Sequence, residues 1–409
     1  MSVSFVPMPL IQEGYVNKHT DEEKIWGSVK SGFTHFANND VGVAKITPCF
    51  ENKKSVVFKG LKNGYGAGTT ELHIIRTIDN LIYPEYVLWN VKTDNFISNG
   101  IKAFSGAVGQ KRIGKDFIEK SLIPIAPTNE QKRILECISI AFEYIDSIEA
   151  SKEAFKVDIQ SVKSKILDLA IRGKLVPQNP DDEPASILLE RIRAEKEDLI
   201  KQGKIKRDKK ESFIFKGEDN SYYENLPTNW SLTSLGAVST LITKGTTPRG
   251  GNVAYLDSGI GFLRAENISG YDKLNLQNLK YVDEDTHNNF LKRSILQNND
   301  ILITIAGTLG RTAVVTESDL PLNTNQAVAI VRLINSELIY NRYITYAINS
   351  NKIQKALLKQ EVAMAIPNLS LENISACSIP LPPLNEQFAI VKVIDDLFTT
   401  LNRIEQSLN

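Results

Sequence analysis

One motif occurs twice in this chain of 409 residues and constrains its fold more than any other feature. Residues 123–131 read IPIAPTNEQ, and residues 379–387, which lie 256 positions later, read IPLPPLNEQ. In each copy the prolines end the preceding segment, and Asn129 or Asn385 is a suitable N-cap for a helix that follows. The chain therefore contains two copies of a unit that ends in a helix.

Apolar residues follow each motif at alternating spacings of four and three. This heptad spacing predicts that each helix packs along an apolar seam against another helix. The first helix is expected to run from about residue 129 to 172, which at ~1.5 Å per residue gives a length of roughly 66 Å. The predicted seam comprises Ile134, Ile138, Ile145 and Ile148 in the first copy and Ile390, Ile394, Leu397 and Leu401 in the second.

Strand-rich sequence precedes each of the two helices. The first copy has predicted strands near 40–47, 55–58 and 71–76, a glycine-rich loop at 63–68 and a helix with Pro84 in its first turn. The second copy has predicted strands near 300–305, 313–315 and 327–333 and a helix over about 340–359. This order predicts an α/β (α+β) fold with two homologous strand-rich domains. The predicted divisions are 1–128 and 226–383 for the strand-rich domains, 129–176 and 384–409 for the seam helices, and 177–225 for a second helix with a basic linker.

Composition excludes several classes of protein. The 48 basic residues balance 48 acidic ones, which argues against a histone-like nucleic-acid binder but leaves room for local basic loops. No apolar run is long enough to cross a bilayer and no secretion signal is found at the start, so the cytoplasm is the expected location. Cys49, Cys137 and Cys377 are odd in number and far apart, which implies neither a disulfide framework nor a zinc site.

A metal-dependent nuclease site is one alternative that the residues raise. Asp40, Glu51 and Lys53 are spaced as in a nuclease hairpin, with two carboxylates for Mg²⁺ and a lysine for the attacking water. A strand pair with a charged turn explains the same residues, and the matching turn at 307–311 contains no carboxylate. We therefore expect no metal site here.

Two glycine-rich segments resemble nucleotide-binding loops. Residues 109–115 resemble a phosphate loop, but Asp116 stands where a Ser or Thr would meet Mg²⁺. The glycines of residues 63–68 lack the strand–glycines–helix context of a dinucleotide site. The four histidines are scattered and no methyltransferase signature occurs, so the sequence predicts a protein without catalytic activity.

Loops in both copies carry side chains suited to nucleic acid. Residues 244–251 offer cations, hydroxyls and exposed amides for phosphate groups, and Arg, Asn and Gln side chains can make bidentate contacts to base edges. Residues 99–115 hold several cations without any acidic residue. The candidate DNA-binding residues are Lys102, Lys111, Arg112, Lys115, Lys244, Thr246, Thr247, Arg249, Arg264, Arg311, Asn325 and Gln326.

The duplicated motif, with the tail at residues 163–178 and the segments 45–52 and 226–236, resembles the DNA-specificity (S) subunits of Type I restriction–modification systems. The resemblance covers nearly the whole chain. It implies two target-recognition domains that each read half of a bipartite site in double-stranded DNA, with the helices forming an antiparallel coiled coil between them. It also implies that the chain binds no cofactor. Methyltransferase (M) subunits with S-adenosylmethionine would dock on the helices, and a separate motor-nuclease (R) subunit would use ATP and Mg²⁺.

Two other classes of protein remain open at this point. One is an autonomous restriction or modification enzyme, which an endonuclease assay with Mg²⁺ would reveal. The other is a coiled-coil scaffold that does not bind DNA, although such a scaffold would not need two strand-rich units with basic loops.

The two copies differ at their ends. When the repeat is shifted back by 256 residues, the counterparts of segment 226–230 and of the loop at 244–251 would lie before Met1. The first unit is expected to start near Val6, as the counterpart of Phe262. The second helix stops at Asn409, the counterpart of Glu153. The comparison suggests a truncated or rearranged specificity subunit whose first domain lacks a strand and a DNA loop, and therefore binds DNA more weakly than the second.

Overall fold

The structure is a computed structural model that describes residues 1–107, 110–207, 226–250, 255–359 and 369–408. Gly109, residues 208–216 of the predicted basic linker and Gly251 lie outside the described residues. The chain forms two compact units, Met1–Ala150 and Ser151–Asn409, and the boundary falls within one long helix. No described helix is both long enough and apolar enough to span a membrane. The division into five segments, which the sequence repeats suggest, stays a prediction.

The first unit consists of short strands followed by short helices. Its elements are β1 (Ser2–Val6), β2 (Glu22–Ile25), α1 (Trp26–Val29), β3 (Thr34–Ala37), β4 (Val41–Ala44), β5 (Ser55–Val57), β6 (Tyr65–Gly68), β7 (Leu72–Ile75), α2 (Pro84–Val91), α3 (Asp94–Lys102), α4 (Lys115–Lys120) and the start of α5 (Thr128–Ala170). The strands form two sheets, of order β2-β1-β6-β3 and β5-β4-β7. The predicted strands near 40–47, 55–58 and 71–76 and the helix at Pro84 are confirmed.

The second unit repeats this plan with additional strands. After the end of α5 its elements are α6 (Ala185–Lys201), β8 (Ser231–Ser234), β9 (Ser239–Lys244), β10 (Ile260–Leu263), β11 (Ile268–Gly270), β12 (Lys273–Leu274), β13 (Lys280–Val282), β14 (Ile301–Thr304), β15 (Thr312–Val314), β16 (Leu322–Thr324), β17 (Val328–Leu333), α7 (Asn341–Asn349), α8 (Asn351–Lys359), α9 (Leu371–Ala376), β18 (Ser378–Leu381) and α10 (Leu384–Ser407). Its main sheet has the order β15-β14-β17-β9, and smaller sheets have the orders β13-β10-β16, β11-β12 and β18-β8. The mixed α/β class with two β-rich units is confirmed.

Residues 65–68 of the glycine-rich segment form a strand and residues 62–64 a single 3-10 turn, so the predicted loop at 63–68 was wrong except at its start. β6 lies inside its sheet, parallel to β1 and antiparallel to β3. A Cβ at Gly66 would overlap the Phe36 ring, and one at Gly68 would overlap the carbonyl oxygen of Val6. Glycine is therefore required at both positions by close packing inside the sheet. A prediction based on the frequency of glycine in turns does not detect this requirement.

The predicted helix over 340–359 is two helices. Ser350 separates α7 from α8 with an extended conformation, and its hydroxyl donates to the carbonyl of Ala347 at 2.6 Å. Serine readily leaves a helix in this way because its side chain can satisfy a terminal backbone group.

Equivalent ion pairs mark the repeat in the two main sheets. Asp40 is buried before β4 and accepts two hydrogen bonds from Arg76 at 2.7 Å each. Asp300 is buried before β14 and accepts two from Arg332 at the same distances. Because Arg332 follows Arg76 by 256 residues, β17 is the counterpart of β7.

The glutamine of the duplicated motif performs the same role in both units. Gln131 is buried and its amide oxygen accepts from the backbone N–H of Tyr83, which caps α2. Gln387 is also buried and accepts from the N–H of Tyr340, which caps α7. The motif thus ties the start of each long helix to the start of a short one.

The ends of the repeat differ slightly from the sequence prediction. Phe5 and Phe262 occupy the same position in the parallel pairs β1/β6 and β10/β16, so Phe5 rather than Val6 is the counterpart of Phe262. The first unit therefore has one more residue between β1 and β6 than the second has between β10 and β16. α5 begins at Thr128, one residue before its predicted start, and α10 begins at Leu384 as predicted, with Pro383 rather than Asn385 as its N-cap.

The second half of α5 packs against α10 within the second unit. Lys163 of α5 donates to Glu405 at 2.9 Å, and Gln178, which follows α5, donates to Glu386 at 2.5 Å. Residue 163 contacts residue 405, and the later residue 178 contacts the earlier residue 386. The two segments therefore run antiparallel. Their shared core includes Ile166, Leu167, Ala170, Ile171, Ile390, Val391, Ile394 and Phe398.

The structure places the predicted seam residues in different environments. Ile390 and Ile394 are fully buried, whereas Leu397 is exposed and Phe398 is buried in its place. Phe398 packs edge-on against Tyr271 and Tyr346, because α10 contacts the core of the second unit as well as α5. This wider surface favours the 3.6-residue period over the heptad.

The predicted seam positions of the first copy are more exposed. Ile134 and Ile138 are half-buried, and Ile145 and Ile148 are 47% and 66% exposed. Leu401, the last predicted seam residue of α10, is half-buried. Residues 128–150 belong to the first unit, where the partly or fully buried residues of α5 end at Phe142, which stacks on Trp89. The middle of α5 therefore presents apolar side chains that the described chain does not cover.

Lys92 is a buried lysine that should make the stability of the first unit depend on pH. Its ammonium donates to the carbonyls of Gly14 and Lys53 at 2.6 and 2.7 Å, and burial followed by repulsion from Lys53 lowers its pKa to about 7. Between about pH 7 and the ordinary pKa of 10.5, the unfolded chain binds more protons than the folded one, so the free energy of unfolding should rise with pH. Urea unfolding at several pH values should show this rise in the wild type and a flatter profile in Lys92→Met. Parallel profiles would contradict it.

Candidate nucleic-acid interface

The ends of several strands bring the predicted residues of the second unit to one edge of its main sheet. Thr304 at the end of β14 pairs with Val328, and Lys244 at the end of β9 pairs with Ala329. The N–H of Ile305 donates to the carbonyl of Ala327 at 2.8 Å, and this bond places the turn 305–311 beside residues 325–327. We call this edge, formed by residues 244–250, 264–267, 305–311 and 325–327, the loop edge of the second unit.

Backbone contacts hold residues 244–250 on the loop edge. The N–H groups of Gly245 and Thr246 donate to the carbonyls of Val328 and Thr324 at 3.0 Å each. Only glycine fits at position 245, because a Cβ would overlap the carbonyl oxygens of Thr324 and Asn325. The loop conformation is therefore fixed by the strands beneath it.

Side-chain hydrogen bonds hold four of the predicted residues in place. The hydroxyl of Thr247 donates to the amide oxygen of Gln326 at 2.7 Å, and Thr246 accepts from Arg293 at 3.0 Å. Asn325 accepts from the N–H of Ala327 at 3.1 Å, which leaves its amide nitrogen available. The loop edge thus presents amide and hydroxyl groups in a defined arrangement.

Three arginines give the loop edge positive charge. Arg249 lies over the ring of Phe290 at 5.1 Å, and Arg311 is exposed with no acidic partner among the described residues. Arg264 is paired with Glu266, yet its Nε is buried without a hydrogen-bond acceptor in the described chain. Such an unsatisfied donor is rare in folded proteins, and an anionic ligand oxygen would satisfy it.

Sequence reasoning missed two residues that contact the loop edge. Arg293 and Phe290 come from the segment between β13 and β14, and they reach Thr246 and Arg249, which lie more than 40 residues earlier. The dipeptide Lys292-Arg293 was the available signal, but nothing in the sequence indicated which loops it would join.

The first unit has an equivalent edge. The N–H of Lys45 donates to the backbone carbonyl of Glu71 at 3.0 Å, just as the N–H of Ile305 donates to the carbonyl of Ala327. Lys111 joins this edge because its carbonyl accepts from the N–H of Thr47 at 2.9 Å. The structure gives no such link for Lys102 at the end of α3 or Lys115 at the start of α4.

Residues 99–115 contain no acidic residue, but acidic residues from outside the stretch neutralise part of its charge. Arg112 donates two hydrogen bonds of 2.9 Å to Glu71, 41 positions earlier, and lowers the pKa of that carboxyl below its ordinary value. Lys115 pairs with Glu119 at 2.7 Å. Lys102 and Lys111 are exposed and have no ion-pair partner in the described chain.

The nuclease alternative finds no support in the geometry. Asp40 is buried in its pair with Arg76, and Lys53 contacts Tyr15 and Asp94 at 2.5 Å each. No group of acidic, His or Cys side chains in the described ranges is arranged to hold a metal ion. These residues serve the packing of the first unit.

Comparison with known proteins decides the family. Residues 227–409 match the family of Type I restriction modification DNA specificity domains. The EcoAI specificity subunit of Escherichia coli is 32% identical over 98% of this chain and 74% of its own length, and the EcoEI specificity subunit of Escherichia coli is 32% identical over 99% and 75%. The chain belongs to the Type I restriction enzyme specificity subunits.

Solved structures share the fold of this specificity subunit. A chain from a type I restriction–modification system matches all of it and 86% of that chain with a TM-score of 0.63 at 17% identity. The HsdS subunit from Thermoanaerobacter tengcongensis matches all of it and 85% of that chain with a TM-score of 0.55 at 17% identity. The specificity subunit is the non-catalytic component that determines the DNA target and carries no cofactor.

Proposed function

We propose that this specificity subunit reads a bipartite target in double-stranded DNA, with one half-site contacted by each unit. The observation that carries the proposal is the recurrence of one arrangement: loops with unpaired cations meet at the corresponding edge of both main sheets. Phosphate contacts would position each edge, and a few side chains would read bases.

On the loop edge of the second unit, different residues suit different parts of DNA. Lys244, Arg249 and Arg311 are exposed cations suited to phosphates or to guanine edges. Gln326 and Asn325 offer the amide groups that pair with adenine. Thr246, Thr247 and Arg264 would support these residues and contact phosphates. In the first unit Lys102, Lys111, Arg112 and Lys115 are the corresponding candidates.

The two units need not bind DNA equally. Arg112 and Lys115 of the first unit are engaged by carboxylates, whereas Lys244, Arg249 and Arg311 of the second have no ion-pair partner in the described chain. These differences support the proposal that the first unit binds its half-site more weakly than the second.

The proposed partners follow from the exposed middle of α5. Ile140, Tyr144, Ile145 and Ile148 form an apolar stripe that the described chain leaves open. We propose that methyltransferase subunits, which carry S-adenosylmethionine, dock on the long helices, and that a restriction subunit using ATP and Mg²⁺ completes the complex in the cytoplasm. Exposed apolar stripes of this kind are typical of protein interfaces.

The charge-neutralising variant Lys244→Ala/Arg249→Ala/Arg311→Ala tests the loop edge. In the complex with methyltransferase subunits, we expect target affinity to fall on the order of a hundredfold at physiological salt. The slope of log K against log salt should decrease by about 0.9 for each phosphate group that the variant no longer neutralises. Fluorescence anisotropy over a salt series measures both quantities.

A matched control removes the same charge elsewhere. Arg193, Lys201 and Lys204 are exposed on or just after α6, which contacts the opposite end of β17 through the bond from Asn335 to Glu195. Their replacement by alanine should leave the affinity and the slope unchanged. Equal effects of the two triple variants would show that the loop edge is not the DNA interface.

A further inference from the structure

A connection of three residues between two sheets occupies the same place in both units. Residues 325–327 join β16 to β17, and residues 69–71 join β6 to β7. The strand before each connection lies in a parallel pair, β16 with β10 and β6 with β1. The strand after it lies in an antiparallel pair, β17 with β14 and β7 with β4. Because the sheets fix both ends, each connection is held firmly at its edge.

The first residue of each connection caps its own turn. The side-chain oxygen of Asn325 accepts from the N–H of Ala327 at 3.1 Å, and that of Thr69 accepts from the N–H of Glu71 at 3.2 Å. Asparagine and threonine suit such turns because their short side chains reach the backbone N–H two residues further on. This position therefore has the same local role in both units.

The second residue of each connection is exposed and differs between the units. It is Gln326 in the second unit and Thr70 in the first. The amide oxygen of Gln326 accepts from the hydroxyl of Thr247 at 2.7 Å, so the neighbouring loop holds this side chain in place. Its amide nitrogen has no hydrogen-bond partner within the described part of the chain. Gln326 thus offers a restrained donor and acceptor on the loop edge.

A restrained glutamine amide matches the major-groove edge of adenine. Adenine presents its N6 amino donor beside its N7 acceptor, so the amide oxygen accepts while the amide nitrogen donates. The oxygen has two lone pairs, and the bond from Thr247 uses one of them. Guanine presents two acceptors instead, and one of them would oppose the amide oxygen. A threonine, as at position 70, is less selective because its hydroxyl can contact several bases.

On the basis of the function proposed above, we infer that Gln326 is a specificity-determining residue that reads an adenine in the half-site of the second unit. Thr247 is a positioning residue that holds the amide of Gln326. The turn engages the oxygen of the adjacent Asn325, which leaves position 326 as the exposed reader. Thr70 gives the first unit a different chemistry at the same place, as suits a half-site of different sequence.

Base preference in the complex with methyltransferase subunits tests this role. Methylation sequencing gives the target, and competition measured by fluorescence anisotropy then uses duplexes in which each base pair is varied in turn. Gln326→Ala should lower the preference for an A·T pair at one position of one half-site by about tenfold. Preferences elsewhere and the salt slope should not change, because no phosphate contact is removed.

Gln297→Ala is the matched control. It removes another exposed glutamine, which lies before β14 and so at the end of that strand remote from the loop edge. All base preferences of this variant should equal those of the wild type.

Variants of Thr247 test its positioning role. Thr247→Val keeps the shape of the side chain and removes the hydroxyl, so it should lower the same preference at the same position by about threefold. Thr247→Ser retains a hydroxyl and should restore the preference. A merely structural role of Thr247 would instead weaken binding equally for every duplex.

Three results would overturn the inference. One is an unchanged preference at every position in Gln326→Ala although Lys244→Ala/Arg249→Ala/Arg311→Ala weakens binding. Another is a preference lost in Asn325→Thr but kept in Gln326→Ala, which would make Asn325 the reader. The third is a loss at a G·C pair, which would exclude adenine. If the triple variant itself leaves binding unchanged, the proposed function fails and the role of Gln326 fails with it.

Discussion

Ile394→Asp is expected to prevent the second unit from folding. Ile394 is fully buried in the core that α10 shares with α5 and α7. An aspartate there would place a charge in an apolar environment at a cost of several kcal/mol, which is comparable to the whole stability of many domains. We expect loss of the cooperative thermal transition and of soluble protein, as measured by circular dichroism and by expression yield.

Ile148→Asp is the matched control, because the sequence pattern gives both positions the same role. Ile148 is 66% exposed, so the substitution should change the melting temperature little. If the middle of α5 docks a methyltransferase subunit, this variant should instead weaken assembly of the complex. Similar destabilisation by both variants, or by neither, would contradict the burial pattern of the long helices.

Exchange of residues 226–383 for the equivalent segment of another specificity subunit should change one half of the DNA target completely and leave the other half intact. The loop edge of the second unit lies entirely within this segment, whereas the first unit lies outside it. Methylation sequencing of a genome carrying the hybrid would show the new target. A target that changes in both halves would contradict independent reading by the two units.

The structure sets one condition on the hybrid. Trp230 lies inside the exchanged segment, but its acceptor Glu386 and the neighbouring Gln178 lie outside it. Burial raises the pKa of Glu386, and the hydrogen bonds from Trp230 and Gln178 oppose this shift by stabilising the ionised carboxyl. We therefore expect a donor segment with a tryptophan at this position to fold, and one without it to be less stable.

The sequence repeat was sufficient to predict the existence and order of the main elements. Both Asn-Glu-Gln motifs begin long helices, and strands precede them, because these features depend on local periodicity and on prolines. The burial of individual seam residues depends on tertiary contacts instead. Leu397 and Phe398 are adjacent and apolar, and tertiary contacts, such as those of Phe398 with Tyr271 and Tyr346, determine which of them is buried.

The candidate interface was predictable in its residue types but not in its pairings. Arg112 stands in a stretch without acids, yet Glu71 just before β7 pairs with it. Arg293 was missed because it reaches Thr246 only through the folding of a distant segment. Contacts between residues so far apart in the chain follow from the topology, which a single sequence does not specify.

Hydroxyl-radical footprinting of the assembled complex on its target tests the central claim most directly. The wild-type complex should protect two short stretches of DNA about one helical turn apart, one for each unit. With Lys244→Ala/Arg249→Ala/Arg311→Ala, protection should weaken at one stretch and persist at the other. Loss of protection at both stretches together, or no change at either, would contradict the assignment of one half-site to the loop edge of the second unit.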